Sequence, residues 1–74
     1  MYYEIVQNDI VMMRTDCVRS AKTRLKEYAD EYRDATGQHP HESRANHYLG
    51  TELHGVVTDY CYPDGTTIFL ERFD

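Results

Sequence analysis

Histidines and cysteines are the residues of this 74-residue chain whose side chains could do chemistry. Neutral imidazoles are common ligands of zinc and other transition metals, and a small domain can use a metal as a staple. Three histidines, His39, His41 and His47, cluster, and His54 follows them. Their spacing matches no strong zinc signature. A His-dependent metal-binding protein therefore stays an alternative hypothesis, and we predict no metal site and no cofactor.

The two cysteines offer little for catalysis. Cys17 lies where a helix is predicted to begin, a position that can lower a thiol pKa. Cys61 has the pattern of a half-buried strand residue, and a bridge between the two would need the helix start to pack on that strand. No phosphate-binding glycine loop, acid/base carboxylate pair or Ser-His-Asp set is visible. We therefore expect no enzymatic activity and no catalytic residues.

The remaining candidate residues are acidic. Glu27, Asp30, Glu31 and Asp34 recur at i, i+3, i+4 and i+7, so they follow one edge of a predicted helix, which we call the acidic strip. Like charges at this spacing destabilise a helix, and the cations of this helix come early and its anions late, against the macrodipole. Because this order of charges opposes helix stability, something other than helix stability is expected to have determined it. A docking strip for a basic partner is the functional interpretation, and a solvated helix face is the ordinary one.

The element that carries the acidic strip is a helix predicted over residues 16–35. Thr15 and Asp16 are candidate N-caps, and Gly37 is a natural C-terminal stop. A short second helix is predicted from about Pro40 to Leu49, in the connection that follows. Apolar residues recur at helical spacing along the long helix, at Val18, Ala21, Leu25, Tyr28, Ala29, Tyr32 and Ala35.

The N-terminal segment is rich in strand-forming residues. Residues 2–6 and 10–13 favour strands, and a polar interruption at residues 7–9 separates them. Asn8-Asp9 is a weaker turn signal than Asn-Gly. The segment is therefore either a hairpin or one long strand with a bulge, and the sequence leaves both open.

The C-terminal segment predicts a hairpin, with strands over 56–62 and 66–73 joined by a turn at 63–65. The face with more apolar residues is expected to meet the helix. The other face is expected to present Asp59, Phe69, Glu71 and Phe73 outward. The predicted register pairs Tyr62 with Thr66, Tyr60 with Ile68, Thr58 with Leu70 and Val56 with Arg72 on the first face, and Cys61 with Thr67, Asp59 with Phe69 and Val57 with Glu71 on the second.

Together these elements predict an α+β fold with residues 1–74 as a single small domain. A three- or four-stranded antiparallel sheet should pack on one long helix, with the short second helix in the connection. The predicted core comprises Tyr3, Ile5, Val11, Leu25, Tyr28, Tyr32, Leu49, Val56, Tyr60, Ile68 and Leu70.

Composition limits the classes of function. The net charge of -5 disfavours direct nucleic-acid binding, which usually needs a basic patch. No run of roughly 18 or more apolar residues is present, so no transmembrane helix and no membrane partner are expected. The N-terminus lacks the pattern of a signal peptide, so we expect a complete cytoplasmic protein with reduced thiols. Seven tyrosines and no tryptophan supply side chains typical of interface hot spots.

The function these features favour is a non-enzymatic protein-binding module, a small acidic steric inhibitor or adaptor that docks on a basic surface of a larger complex. Phage-type inhibitors of a host or defence nucleic-acid-binding complex share this general character. A homodimer or larger homo-oligomer is an alternative, in which an exposed hairpin edge pairs with its copy and buries Phe69 and Phe73. The predicted partner-binding residues are Glu27, Asp30, Glu31, Asp34, Asp59, Phe69 and Glu71.

Overall fold

A computed structural model describes residues 1–40 and 55–74 of the chain. Within these residues, one antiparallel sheet with strand order β2-β1-β4-β3 carries one helix on one face, which confirms the predicted α+β class. The short helix predicted from Pro40 to Leu49 lies, apart from Pro40, outside the described residues. The elements are β1 (Tyr2–Gln7), β2 (Ile10–Thr15), α1 (Val18–Thr36), β3 (Val56–Cys61) and β4 (Thr67–Phe73).

The N-terminal segment contains both of the features that its sequence left open. Asn8 and Asp9 have φ values of 50° and 69°, the left-handed pair of a two-residue type I′ turn, so β1 and β2 form a hairpin. Ile5 pairs with Met13 and Val6 with Val11, so the register shifts by one residue. A bulge therefore inserts Met12 into β2 as the extra residue.

Helix α1 begins later than its cap signals predicted. The N-cap is Cys17, in an extended conformation and without a side-chain cap hydrogen bond, so the prediction of Thr15 or Asp16 is wrong. Thr15 instead accepts a hydrogen bond from the Cys17 backbone N–H through Oγ1 at 3.1 Å, and Cys17 itself is the N-cap. The predicted stop is confirmed: Gly37 has φ 73° and donates its N–H to the Arg33 carbonyl at 2.7 Å.

The core lies between α1 and the helix-facing side of β1 and β4. Of the predicted core, Tyr28, Tyr32 and Tyr60 pack against it half-buried. The prediction for Val11 is wrong, because β2 is an edge strand and Val11 pairs with Val6 on the face away from α1. Leu49 lies outside the described residues. The buried cluster consists of Tyr3, Ile5, Ala21, Leu25, Tyr62, Ile68 and Leu70.

The C-terminal hairpin keeps its predicted register near the turn and loses it at the far end. Pairing is as predicted from Thr58 with Leu70 to Cys61 with Thr67, and the Tyr62 N–H donates to the Thr66 carbonyl at 2.9 Å. Val56 pairs with Glu71 rather than Arg72, so the prediction for Val56 and Val57 is wrong. A register shift between Val56 and Thr58 adds one residue to β3, which periodic pairing does not foresee.

The expectation that Asp59, Phe69 and Glu71 lie exposed is wrong. Their exposed fractions are 1%, 9% and 4%. The strand order makes β4 an interior strand, so Phe69 lies between Val6 and Asp59, and Glu71 lies beside Glu4. Phe69 and Glu71 therefore have neighbours on two strands, which a hairpin considered alone would not show, and Asp59 lies beside Phe69 on β3.

Within residues 1–40 and 55–74, no helix is long and apolar enough to cross a membrane.

Candidate protein-binding surface

The acidic strip lies on the solvent side of α1. Glu27, Glu31 and Asp34 are exposed and Asp30 is half-buried. The opposite side of the helix carries Ala21, Leu25 and Ala29, which are buried against the sheet. Amphipathic packing therefore fixes the strip in an outward orientation.

Every carboxylate of the acidic strip lies within 4 Å of a cation on the same helix. Such exposed pairs are worth about 0–1 kcal/mol each, so a partner's cations can replace them at small cost. The strip is thus a ladder of four carboxylates and three cations rather than a bare acidic edge. The pairs are Arg24–Glu27 at 2.6 Å, Arg24–Glu31 at 3.7 Å, Lys26–Asp30 at 3.3 Å, Arg33–Asp30 at 3.7 Å and Arg33–Asp34 at 3.6 Å.

Arg24 explains part of the unfavourable charge order of the helix. Its guanidinium lies 4.2 Å from the ring centroid of Tyr28 and donates to Glu27 at 2.6 Å. The hydrogen bond to Glu27, followed by the one to Tyr28, raises the Arg24 pKa above its ordinary value. An early cation on this helix therefore holds two later carboxylates and one tyrosine ring in place.

Strand β2 exposes a run of apolar side chains. The exposed fractions are 64% for Ile10, 52% for Val11 and 40% for Met12. No residue of β2 is buried, and β2 lies at the edge of the sheet. In the part of the chain that the structure describes, β2 pairs only with β1. Its outer edge is therefore an exposed template for another extended segment.

A groove joins the acidic strip to β2. It has a volume of about 250 Å³, and the Tyr28 hydroxyl lies at its β2 side, 3.5 Å from the Met12 carbonyl oxygen. Glu31 belongs to both the groove and the strip, and Met12 belongs to both the groove and β2. We call the strip, the groove and the β2 edge together the binding surface. The groove is lined by Gln7, Met12, Tyr28, Glu31, Tyr32 and Ala35.

Sequence reasoning missed the β2 part of this surface. It assigned Val11 to the core and gave Met12 no role. The available signal was the unbroken apolar run from Ile10 to Met13, which does not alternate as a half-buried strand should. The bulge explains the run, because it lets Met12 line the groove while Met13 packs against the core.

A hydrogen-bonded cluster attaches the end of α1 to the turn between β3 and β4. The Tyr32 hydroxyl donates to the Asp64 carboxylate and lies 3.0 Å from Thr66 Oγ1. The Asp64 carboxylate also accepts hydrogen bonds from Gln38 Nε2 at 3.3 Å and from the Thr66 backbone N–H at 2.8 Å. The Tyr32 hydroxyl is the main cause that lowers the pKa of Asp64, and the carboxylate in turn raises the pKa of Tyr32. This Asp64 cluster holds Tyr32, one wall of the groove.

The second face of the sheet, away from α1, has its own ion pair and ring stack. Arg14 donates to Glu4 at 2.6 Å and lies 5.0 Å from the Tyr2 ring centroid, and Tyr2 stacks on Phe73 at 5.0 Å. The hydrogen bond to Glu4 is the main cause that raises the Arg14 pKa. Burial keeps the predicted partner-binding residues of this face, Asp59, Phe69 and Glu71, out of the exposed binding surface.

Neither cysteine lines the groove. Both cysteines are free, so the Cys17–Cys61 bridge does not form. A hydrogen bond with Ser20 is the main cause that lowers the pKa of the exposed Cys17 thiol. Cys61 is half-buried and its thiol donates to Asp59 at 3.4 Å.

The histidine hypothesis falls mainly outside the described residues. His39 is exposed, and nothing is described for His41, His47 and His54. Among residues 1–40 and 55–74, no three His, Cys, Asp or Glu side chains are grouped so that they could hold a metal ion. The metal-binding alternative therefore stays a hypothesis.

Comparison of the chain with known protein families, with curated proteins and with solved structures finds no match.

Proposed function

We propose that this protein is a non-enzymatic protein-binding module that docks on a basic surface of a larger complex. The observation that carries the proposal is continuity: the exposed acidic strip borders the groove, and the groove borders the exposed apolar edge of β2. Apolar and aromatic anchors beside a charged rim are the composition of protein interfaces. The acids of the strip supply that rim, and Met12 and Tyr28 supply anchors.

The charge of the molecule favours a basic partner. The net charge is -5, and long-range attraction raises the rate at which a basic protein meets an acidic one. On contact, the partner's cations replace Arg24, Lys26 and Arg33 in the ion pairs of the strip. A small module bound in this way acts as an adaptor, or as a steric inhibitor when the basic surface is itself a binding site.

One version of the proposal is a phage-type inhibitor of a host or defence complex. Such a protein would occupy a nucleic-acid groove, with the strip in the place of phosphates. Binding to the partner would then compete with nucleic acid, whereas an adaptor bound elsewhere would leave nucleic-acid binding unchanged. A competition assay on the captured partner separates the two.

The test is affinity capture from a cell lysate with the wild type and the Asp30→Lys/Glu31→Lys variant. The control is Asp16→Lys/Asp74→Lys, which makes the same change in net charge at two exposed acids outside the strip. We expect the wild type and the control to retain a stoichiometric partner and the strip variant to lose it. Urea unfolding should show that all three proteins are folded, because the altered side chains lie outside the core. Equal capture by the strip variant would show that the strip is only a solvated face.

A homo-oligomeric structural component is the second candidate, and the exposed Ile10, Val11 and Met12 of β2 favour it. The edge that would pair is β2 rather than the C-terminal hairpin, since β4 pairs on both sides and Phe69 is already buried. Sedimentation at high protein concentration checks this candidate. A stable dimer that Val11→Lys dissociates would support it, and a monomer at every concentration would contradict it.

A further inference from the structure

On the turn side of its bulge at Met12, the outer side of β2 offers main-chain groups to another strand. Gln7 and Ile10 close a two-residue turn, so they form a hydrogen-bonded pair within the hairpin. Because antiparallel pairs alternate, the N–H and C=O of the next residue, Val11, point away from β1. An extended segment placed there would gain main-chain hydrogen bonds.

The helix side of such a segment would meet the groove and the acidic strip. Side chains of a strand alternate between faces, so every second residue of the segment would point towards α1. Those residues would pass over the apolar surface of Met12 and Tyr28 and end near Glu31. A lysine or arginine fits this path, because its aliphatic stem covers apolar surface while its charged end reaches a carboxylate.

The other side of the segment would meet Val11. This residue lies on the face away from α1 and is 52% exposed. An apolar residue of the segment would cover it, and a β-branched one suits a strand. The two faces of β2 therefore select cationic residues on one side and apolar residues on the other.

Electrostatics disfavours a second copy of the chain at this edge. Antiparallel pairing of two β2 strands about a two-fold axis would place both helices on the same face of the joined sheet. The groove side of each helix, with Glu31, would then face the axis and its copy. Like charges brought together oppose association, whereas a basic segment is attracted.

We propose, on the basis of the proposed function, that the partner supplies an extended segment with alternating cationic and apolar residues. This segment pairs with β2 as a fifth strand of the sheet. Its cations lie over the groove and the acidic strip, and its apolar residues cover Val11.

The test is an NMR titration of the isotope-labelled full chain with a capped eight-residue peptide in which lysine alternates with valine. A matched peptide has glutamate in place of lysine. Two further versions of the lysine peptide are N-methylated at every second backbone amide. One version carries the methyl groups at the odd positions and the other at the even positions. We expect amide shifts over residues 10–15 and at Glu31. We also expect the glutamate peptide to bind at least about tenfold more weakly than the lysine peptide. One N-methylated peptide should lose binding while the other keeps it, since only one set of amides faces β2.

Protein variants complete the test. Glu31→Lys should weaken binding of the lysine peptide several-fold, and the matched control Asp74→Lys, at an exposed acid after β4, should leave its binding unchanged. Amide shifts confined to strands other than β2, no binding of the lysine peptide at millimolar concentration, or self-association of the chain through β2 would overturn the proposal.

The outcomes also separate this proposal from the proposed function. Suppose that the lysine peptide binds more tightly than the glutamate peptide and that both N-methylated peptides still bind. Strand addition is then wrong, while docking on a basic partner stands. If the glutamate peptide binds as well as the lysine peptide, charge selection is wrong and strand addition by a basic segment fails with it. Loss of capture by the strip variant remains the independent measure of the proposed function.

Discussion

At the scale of single residues, Asp64 shows what local sequence can and cannot predict. The turn at Pro63-Asp64-Gly65 follows from residue types alone, and it forms at the predicted place. The partner of its carboxylate, Tyr32, is 32 residues away. The apolar stripe assigned Tyr32 to the core, yet it is half-buried, because its hydroxyl reaches Asp64 and Thr66. Contacts between distant polar residues depend on the packed fold, so helical spacing could not foresee this one.

The Asp64 cluster predicts a pH dependence of stability. Hydrogen bonds lower the Asp64 pKa in the folded protein. Its contribution is therefore fully present above the unfolded pKa of about 3.9 and is lost as the pH falls through the folded value. We expect Asp64→Asn to lower the urea midpoint at pH 7, and the difference from the wild type to shrink as the pH falls below about 4. A difference that stays constant across this range would show that the charge of Asp64 plays no part.

At the scale of elements, each hairpin and the long helix could be predicted from sequence, but their arrangement in the sheet could not. Alternation located the strands, and apolar spacing with Gly37 located the helix. The adjacency of β1 and β4 left no local signal, and it is this pairing that makes β4 an interior strand. Burial of Phe69 and Glu71 therefore had to come from the structure. Bulges at Met12 and near Val57 add one residue each, which strict period-two pairing excludes.

The turn between β1 and β2 predicts a stabilising substitution. Asp9 has φ 69°, and glycine adopts this conformation without the steric cost of a side chain. We expect Asp9→Gly to raise the free energy of unfolding by about 0.5–1 kcal/mol. The matched control is Asn8→Gly, which also relieves a positive φ but removes the hydrogen bond from the Thr67 N–H to Asn8 Oδ1 at 3.2 Å.

Urea unfolding of the two turn variants and the wild type measures the effect. Asp9→Gly should be the more stable variant, and Asn8→Gly should gain less or lose stability. A less stable Asp9→Gly protein would mean that the Asp9 side chain contributes more to the turn than its backbone strain costs.

At the scale of the whole molecule, the binding surface combines a part that sequence identifies with parts that only the fold reveals. The acidic strip follows from the spacing of four carboxylates on one helix. The groove requires α1 to lie beside the bulged strand β2, and the edge requires β2 to be the outermost strand. The cations that pair with the strip were visible in the sequence, but their distances were not. The proposed docking function therefore depends on tertiary structure as much as on charge.

The central claim, that the acidic strip contacts a basic partner, is tested most directly by carboxylate footprinting of the free protein and of its complex with the captured partner. A carbodiimide couples an amine to accessible carboxylates, and mass spectrometry measures the extent at each site. We expect labelling of Glu27, Glu31 and Asp34 to fall on binding, while Asp16 and Asp74, which are exposed outside the strip, keep theirs. Unchanged labelling of the strip together with protection of other carboxylates would contradict the account.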